Sequence, residues 1–154
     1  MAQFINDNNL ADMIASIEKL SNNTSIYEEL ISSGQEIMKD KIQAGANKHR
    51  SKLIREHMAD SLKCTKPAKD KEGYWVGRVK FSGSSGMFIS KKGKKFDATH
   101  WIKAFRIENG TSKQAAEPFV KPAIAASDAP IRKEWNEIFE RELKKLWILL
   151  LMLM

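Results

Sequence analysis

Apolar and polar positions alternate with a helical period through the first third of the chain. Leu10, Met13, Ile14, Ile17 and Leu20 recur at i, i+3, i+4, i+7 and i+10 behind Asn9, a residue suited to capping. Ser21-Asn22-Asn23-Thr24 reads as a turn. Ser25-Ile26-Tyr27-Glu28 has the form of a capping box, and Leu30, Ile31, Ile37, Met38 and Ile42 mark the inward face of a second helix. Gly34 lies inside that helix and costs it roughly 1 kcal/mol relative to Ala. Gly45-Ala46-Asn47 interrupts the pattern. It resumes over residues 52–62, with Leu53, Ile54, Met58 and Leu62 on one side, and Lys66-Pro67 ends helical structure.

From Tyr74 the period changes to that of a strand. Residues 74–81 are rich in aromatic and β-branched side chains, and Trp75, Val79 and Phe81 can share a face. Residues 82–86 (Ser-Gly-Ser-Ser-Gly) read as a flexible connection, 87–89 as a second strand, and 91–95 as a solvated loop tip. Residues 101–107 fit either period, and Asn109-Gly110 just beyond suits a tight turn after a strand or the glycine end of a helix. Pro118 and Pro122 bracket one large apolar residue, Phe119, and Pro122 fits the first turn of a helix. Asp128 stands as the expected cap of the last helix, with Pro130 in its first turn and Ile131, Trp135, Ile138, Phe139, Leu143 and Leu146 as the core stripe. Residues 146–154 are apolar without a break, far fewer than the roughly 20 a membrane-spanning helix needs. Such an end must bury in its own core, touch a membrane interface or pair with a neighbouring subunit, and for the last Trp147, Ile148, Leu149, Leu150 and Leu151 are the candidates.

At 154 residues the chain is expected to form one domain, with 1–22 a helical extension, 23–145 the core and 146–154 an apolar tail. The elements predict an α+β fold: an antiparallel sheet of about three to four strands packed against a long N-terminal helix and a C-terminal helix. A hydrophobic share of 42% and a charged share of 29% exclude wholesale disorder. Cys64 stands alone, so no disulfide framework exists and a reducing cytoplasm suits the chain. Its first residues have neither the basic nor the long apolar region of a secretory signal. Charge is uneven: residues 1–38 hold one lysine against six acids, 39–95 sixteen cations against five acids, and 96–154 nine against eight. The basic middle is either a solvated face or a surface for nucleic acid or an acidic protein.

The search for chemistry returns little. His49, His57, Cys64 and His100 match no zinc spacing, so neither a metal nor a cofactor is expected. Cys64 has Lys63 and Lys66 nearby to lower its pKa, but no general base or oxyanion site accompanies it. Gly83-Ser84-Ser85-Gly86 lacks the lysine and helix of a phosphate-cradling loop. No carboxylate pair stands out for acid–base work, and no catalytic residue is expected. Lys91, Lys92, Lys94 and Lys95 are candidate contacts to a partner or to DNA, while Trp75, Phe88 and Trp101 fall at positions expected to be core.

Over residues 101–124 the chain resembles the head–tail joining (neck or tail-completion, minor tail) proteins of tailed phages. The resemblance rests on an aromatic-rich lead-in, Glu108, Gly110-Thr111-Ser112 and Pro118-Phe119-x-Lys121-Pro122-Ala123. Element order agrees more loosely over 26–145. The family's Pro-x-Asp-Thr-Gly-x-Leu stretch has no match in residues 46–53 here, and the first helix and apolar end have no counterpart. The resemblance implies a small α+β subunit of a ring between head and tail, acting by assembly rather than catalysis. It implies as partners further copies of the chain, a connector or head-closure protein and a tail-tube protein. A phosphate-backbone contact with phage DNA is a further expected partner, with no membrane span. The location implied is the virion neck or tail, and the host cytoplasm before assembly. Residues 108–122 would be a rigid strand–turn–helix bracket anchored by Phe119. The alternative, from charge alone, is a DNA-associated binding protein using the basic block of 39–95.

Overall fold

The computed structural model describes residues 24–49, 58–89 and 93–153. The helix expected over 9–20, residues 52–57 of the resumed helix, and Lys91 and Lys92 lie outside them. In chain order the elements are α1 (Thr24–Ala46), two 3-10 turns (Asn47–His49 and Met58–Ser61), β1 (Leu62–Cys64), β2 (Ala68–Lys69), β3 (Trp75–Val76), β4 (Val79–Phe81), β5 (Ser84–Ile89), β6 (Lys95–Thr99), α2 (His100–Asn109) and α3 (Val120–Leu153). The fold is α+β, with two long helices and antiparallel strands. The strands form three two-stranded pairings rather than one continuous sheet.

Helices α1 and α3 run side by side in opposite directions. Ile26, Leu30 and Ile138 form one buried cluster between them. Trp135 lies across α1 and its indole N–H donates to the Leu30 carbonyl at 2.7 Å. Further along, Arg141 reaches Glu29 at 2.6 Å. A second, larger core gathers Ile42, Ala46, Met58, Leu62, Ala104 and Phe119, where the C-terminal half of α1 meets α2, the strands and the start of α3.

Leu62 does not end a helix, as its spacing suggests. It opens β1, buried, because its partner across the ladder is Phe81 and the two share the core face. Residues 74–81 likewise do not form one strand. β1 pairs with β4 (Leu62–Phe81, Lys63–Lys80, Cys64–Val79) and β2 with β3 (Ala68–Val76, Lys69–Trp75), so the two ladders are one hairpin. Between them Thr65, Lys66 and Pro67 oppose only Gly77 and Arg78, a bulge that accommodates a proline without an N–H. Gln35 of α1 fills the break, its amide donating to the Thr65 and Arg78 carbonyls at 3.0 Å each. Only glycine fits at 77, since a Cβ there would stand 2.4 Å from Ile31 and 2.5 Å from Gln35. Asp70 organises the tip, accepting from the N–H groups of Glu72 and Tyr74 at 2.9 Å each.

The Ser-Gly-Ser-Ser-Gly stretch is only partly a connection. Ser82 and Gly83 link the strands, while Ser84 begins β5, which pairs with β6 from Ser84–Thr99 to Ile89–Lys95 with an irregularity before Met87. Gly86 at φ 114° sits in that irregularity, where a side chain would be strained. Residues 101–107 resolve as helix. Thr99 caps α2, accepting from the Ile102 N–H at 3.3 Å, and His100 and Ala104 turn inward.

Helix α3 starts at Val120, eight positions before the expected cap at Asp128. Asp128 instead lies within the helix and pairs with Arg132 at 2.9 Å. Pro130 is also interior, so the Ala126 carbonyl receives no bond from it. The expected core stripe of α3 is covered only in part. Ile138 is buried, but Trp135, Phe139 and Leu143 keep a third or more of their surface exposed.

Candidate functional site

Residues 108–122 form a closed bracket between α2 and α3. Glu108, in the last turn of α2, supplies the cap of α3 from outside that helix. Its Oε2 accepts from the N–H groups of Phe119 at 2.7 Å and Val120 at 2.8 Å, and its Oε1 from Lys121 at 3.0 Å. The next residue is Pro122, which has no N–H to satisfy. A helix start normally leaves four donors unpartnered. Here one carboxylate and one proline resolve the whole first turn, and the negative charge sits at the positive end of the helix dipole. Partial burial pushes the Glu108 carboxyl up, but the N–H groups of Val120, Lys121 and Phe119 together outweigh it. The net effect holds its pKa below the ordinary glutamate value.

The link between the helices is equally determined. Gly110 ends α2 at φ 74°, and a Cβ there would fall 2.8 Å from the Ala116 nitrogen and 2.9 Å from the Gln114 carbonyl. Thr111 and Gln114 then exchange backbone hydrogen bonds at 2.8 and 3.3 Å around Ser112 and Lys113. The Thr111 hydroxyl accepts from the Lys113 N–H at 3.3 Å. Glu117 N–H donates back to the Ile107 carbonyl at 2.8 Å, which sets Pro118 and Phe119 against the core. Phe119 is 5% exposed and meets Phe81 edge-on, with ring centroids 6.3 Å apart. The bracket is thus helix–turn–helix, not strand–turn–helix. The tight turn falls at residues 111–114, while Asn109-Gly110 serves as a helix end.

A depression of about 610 Å³ opens beside this bracket, lined by Gly45, His49, Pro118, Phe119, Pro122 and Ala126 among others, with Lys41 and Lys48 at its edge. His49 stands 3.5 Å from Glu117 and its ring lies 5.4 Å from that of Phe119. Apolar contact, two lysines and the His49–Glu117 pair are what this surface offers a ligand. Among the described residues no three His, Cys, Asp or Glu side chains converge on a point that could hold a metal ion. Burial, with Glu36 close by, pushes the Cys64 thiol up, so the nearby lysines do not make it a thiolate.

The other sequence candidates are not brought to the bracket. Lys94 and Lys95 are exposed at the β5–β6 end. Trp147, Ile148 and Leu151 are exposed on the far end of α3, beyond the Glu29–Arg141 pair, and Leu149 and Leu150 belong to the same stretch. Among the described residues no helix is long and apolar enough to cross a membrane. Trp101 is not core: it is 58% exposed on α2 and stacks on the exposed Phe105 with centroids 5.6 Å apart. Sequence reasoning misses Gln35, the polar residue joining α1 to both halves of the hairpin. Its only signal is a polar position inside an otherwise apolar helix face. Compared with protein-family models, with curated proteins and with solved structures, the chain finds no match.

Proposed function

We propose that this chain is a structural protein of the virion of a tailed phage or prophage. It forms part of the neck or tail-completion ring that joins head to tail, and works by protein–protein assembly with no chemical step. The observation that carries this reading is the bracket itself. The residues of the resemblance do structural work on one another: Glu108 caps Phe119, Val120 and Lys121, Gly110 ends α2, and Phe119 fills the core. None of those side chains is left over for catalysis, which is what a shape-defining motif requires.

Its partners in this reading are other copies of the chain, a connector or head-closure protein, and a tail-tube protein. Trp147, Ile148 and Leu151 give α3 an apolar end suited to a neighbouring subunit. Mass spectrometry of purified virions tests the assignment: the protein is expected in the particle at ring stoichiometry, and its absence would remove the structural reading. Truncation after Lys145 tests the contact. Loss of self-association is expected, whereas unchanged oligomeric state and solubility would sink that role for the apolar end.

A further inference from the structure

The hairpin of residues 62–81 concentrates exposed cations on a short stretch of chain. It carries Lys63, Lys66, Lys69, Lys71, Arg78 and Lys80 against Asp70 and Glu72, and all six cations are exposed. None of the six makes an ion pair with a described residue. Asp70 is committed to backbone N–H groups at the tip. The Lys69 ammonium lies over the ring of its ladder partner Trp75, 5.7 Å from its centroid, and the residue stays exposed.

The register sharpens this. Lys63 lies directly opposite Lys80 in the β1–β4 ladder, with the apolar pairs Leu62–Phe81 and Cys64–Val79 on either side. Leu62 is buried and both lysines are exposed, so the ladder turns its apolar face to the core and a lysine pair to solvent. Like charges directly opposite on a two-stranded ladder work against it. An arrangement that opposes its own strand pairing is explained by a partner that neutralises it.

We propose that the outer face of this hairpin binds the phosphodiester backbone of duplex nucleic acid, independently of base sequence and of the assembly reading. Helix α1 occupies the inner face, through Tyr27 stacked on Trp75 and Gln35 bonded to both strands. With its inner face covered, the hairpin meets a duplex through its lysine-bearing outer face, where phosphate contacts fix position without reading sequence. Lysine dominates the set and binds phosphate as a point charge, which suits a contact that needs no fixed geometry. The outer face of the β1–β4 ladder offers no apolar anchor of the kind that carries a protein–protein contact, which favours a polyphosphate over an acidic protein.

The test is a titration of the full chain with fluorescein-labelled mixed-sequence duplexes, DNA and RNA in parallel, across about 50 to 200 mM KCl. Wild-type protein is expected to bind with a steep salt dependence and little difference between sequences. Lys63→Gln with Lys80→Gln should lower the slope of log K against log salt for DNA by about 1.8, roughly 0.9 for each phosphate no longer neutralised. Lys66→Gln with Lys71→Gln, at the bulge and the tip, should also lower it, and Lys133→Gln, whose partner is Glu137, should leave it unchanged. Removing the lysine pair relieves repulsion, so the variant should unfold no earlier than wild type, and weakened binding then cannot be assigned to a damaged fold. Similar binding of DNA and RNA duplexes supports the backbone contact; preference for DNA supports it and names the source. No duplex binding at the lowest salt, an unchanged slope in both double variants, strong sequence preference, or equal competition by poly-glutamate would each overturn it. Detection or absence in virions bears only on the assembly reading, so the two can fail separately.

Discussion

The bracket at residues 108–122 and the hairpin at 62–81 both pack on α1 and the same core, yet they treat their polar groups in opposite ways. In the bracket, donors and acceptors are matched internally: one carboxylate serves three N–H groups and a proline removes the need for a fourth. On the adjoining helices, Lys39, Arg132, Lys133, Arg141 and Lys145 each stand within reach of a carboxylate. The hairpin leaves six cations without such a partner among the described residues. In the readings proposed above, the bracket defines shape and the hairpin meets a partner.

The largest break in this comparison should come from Phe119→Ala, which empties a buried aromatic site. It is expected to destabilise by about 3–5 kcal/mol, whereas Tyr74→Ala at the exposed hairpin tip should stay within about 0.5 kcal/mol. Urea unfolding of both variants checks it, and similar midpoints would mean that Phe119 is not an anchor. Next is Gly77→Ala, which forces a Cβ into Ile31 and Gln35. A loss of about 1–3 kcal/mol is expected, with hydrogen exchange rising first in the hairpin, since it is the hairpin that would lift from α1.

Glu108→Gln removes the charge from the cap and should cost about 1–2 kcal/mol near neutral pH. The pH dependence carries the sign. Glu108 has a folded-state pKa below the ordinary 4.5, so its contribution is complete above that value and disappears as pH falls from 4.5 through the lowered folded value. Wild type and Glu108→Gln should therefore converge in stability on acidification, and parallel pH profiles would show that the charge does not matter. The smallest effect belongs to the hairpin: Lys63→Gln with Lys80→Gln should stabilise by a few tenths of a kcal/mol, roughly the scale of exposed charge pairs, and more so at low salt. Thermal unfolding at two salt concentrations measures it.

What the sequence makes legible follows from how local each signal is. The helix around Leu30 and Ile42, the glycine end at 110 and the place of Pro122 in a first helical turn are all set by residues within a turn or two of one another. The start of α3 is hidden because its cap is Glu108, on a different helix, while Asp128 offers a local alternative that Arg132 takes up. Leu62 reads as helical because its actual role depends on Phe81, nineteen positions away in the β1–β4 register. The split in residues 74–81 depends on Gln35, still further off in sequence. The exposure of Trp101 is hidden because an aromatic residue reads as core on either period, and only the packing of His100 and Ala104 fixes which way α2 turns.

The borrowed cap also bears on the order in which the protein assembles itself. Until α2 has docked, the first turn of α3 has no acceptor for three of its N–H groups, so this end of the longest helix completes late. A contact made late falls on the native side of the folding barrier, where it governs how slowly the protein comes apart rather than how fast it forms. Glu108→Gln should accordingly speed unfolding in stopped-flow traces and leave refolding almost untouched. Slowed refolding would place the cap in the nucleus instead. In the ring-subunit role proposed above, persistence is the more useful of the two rates.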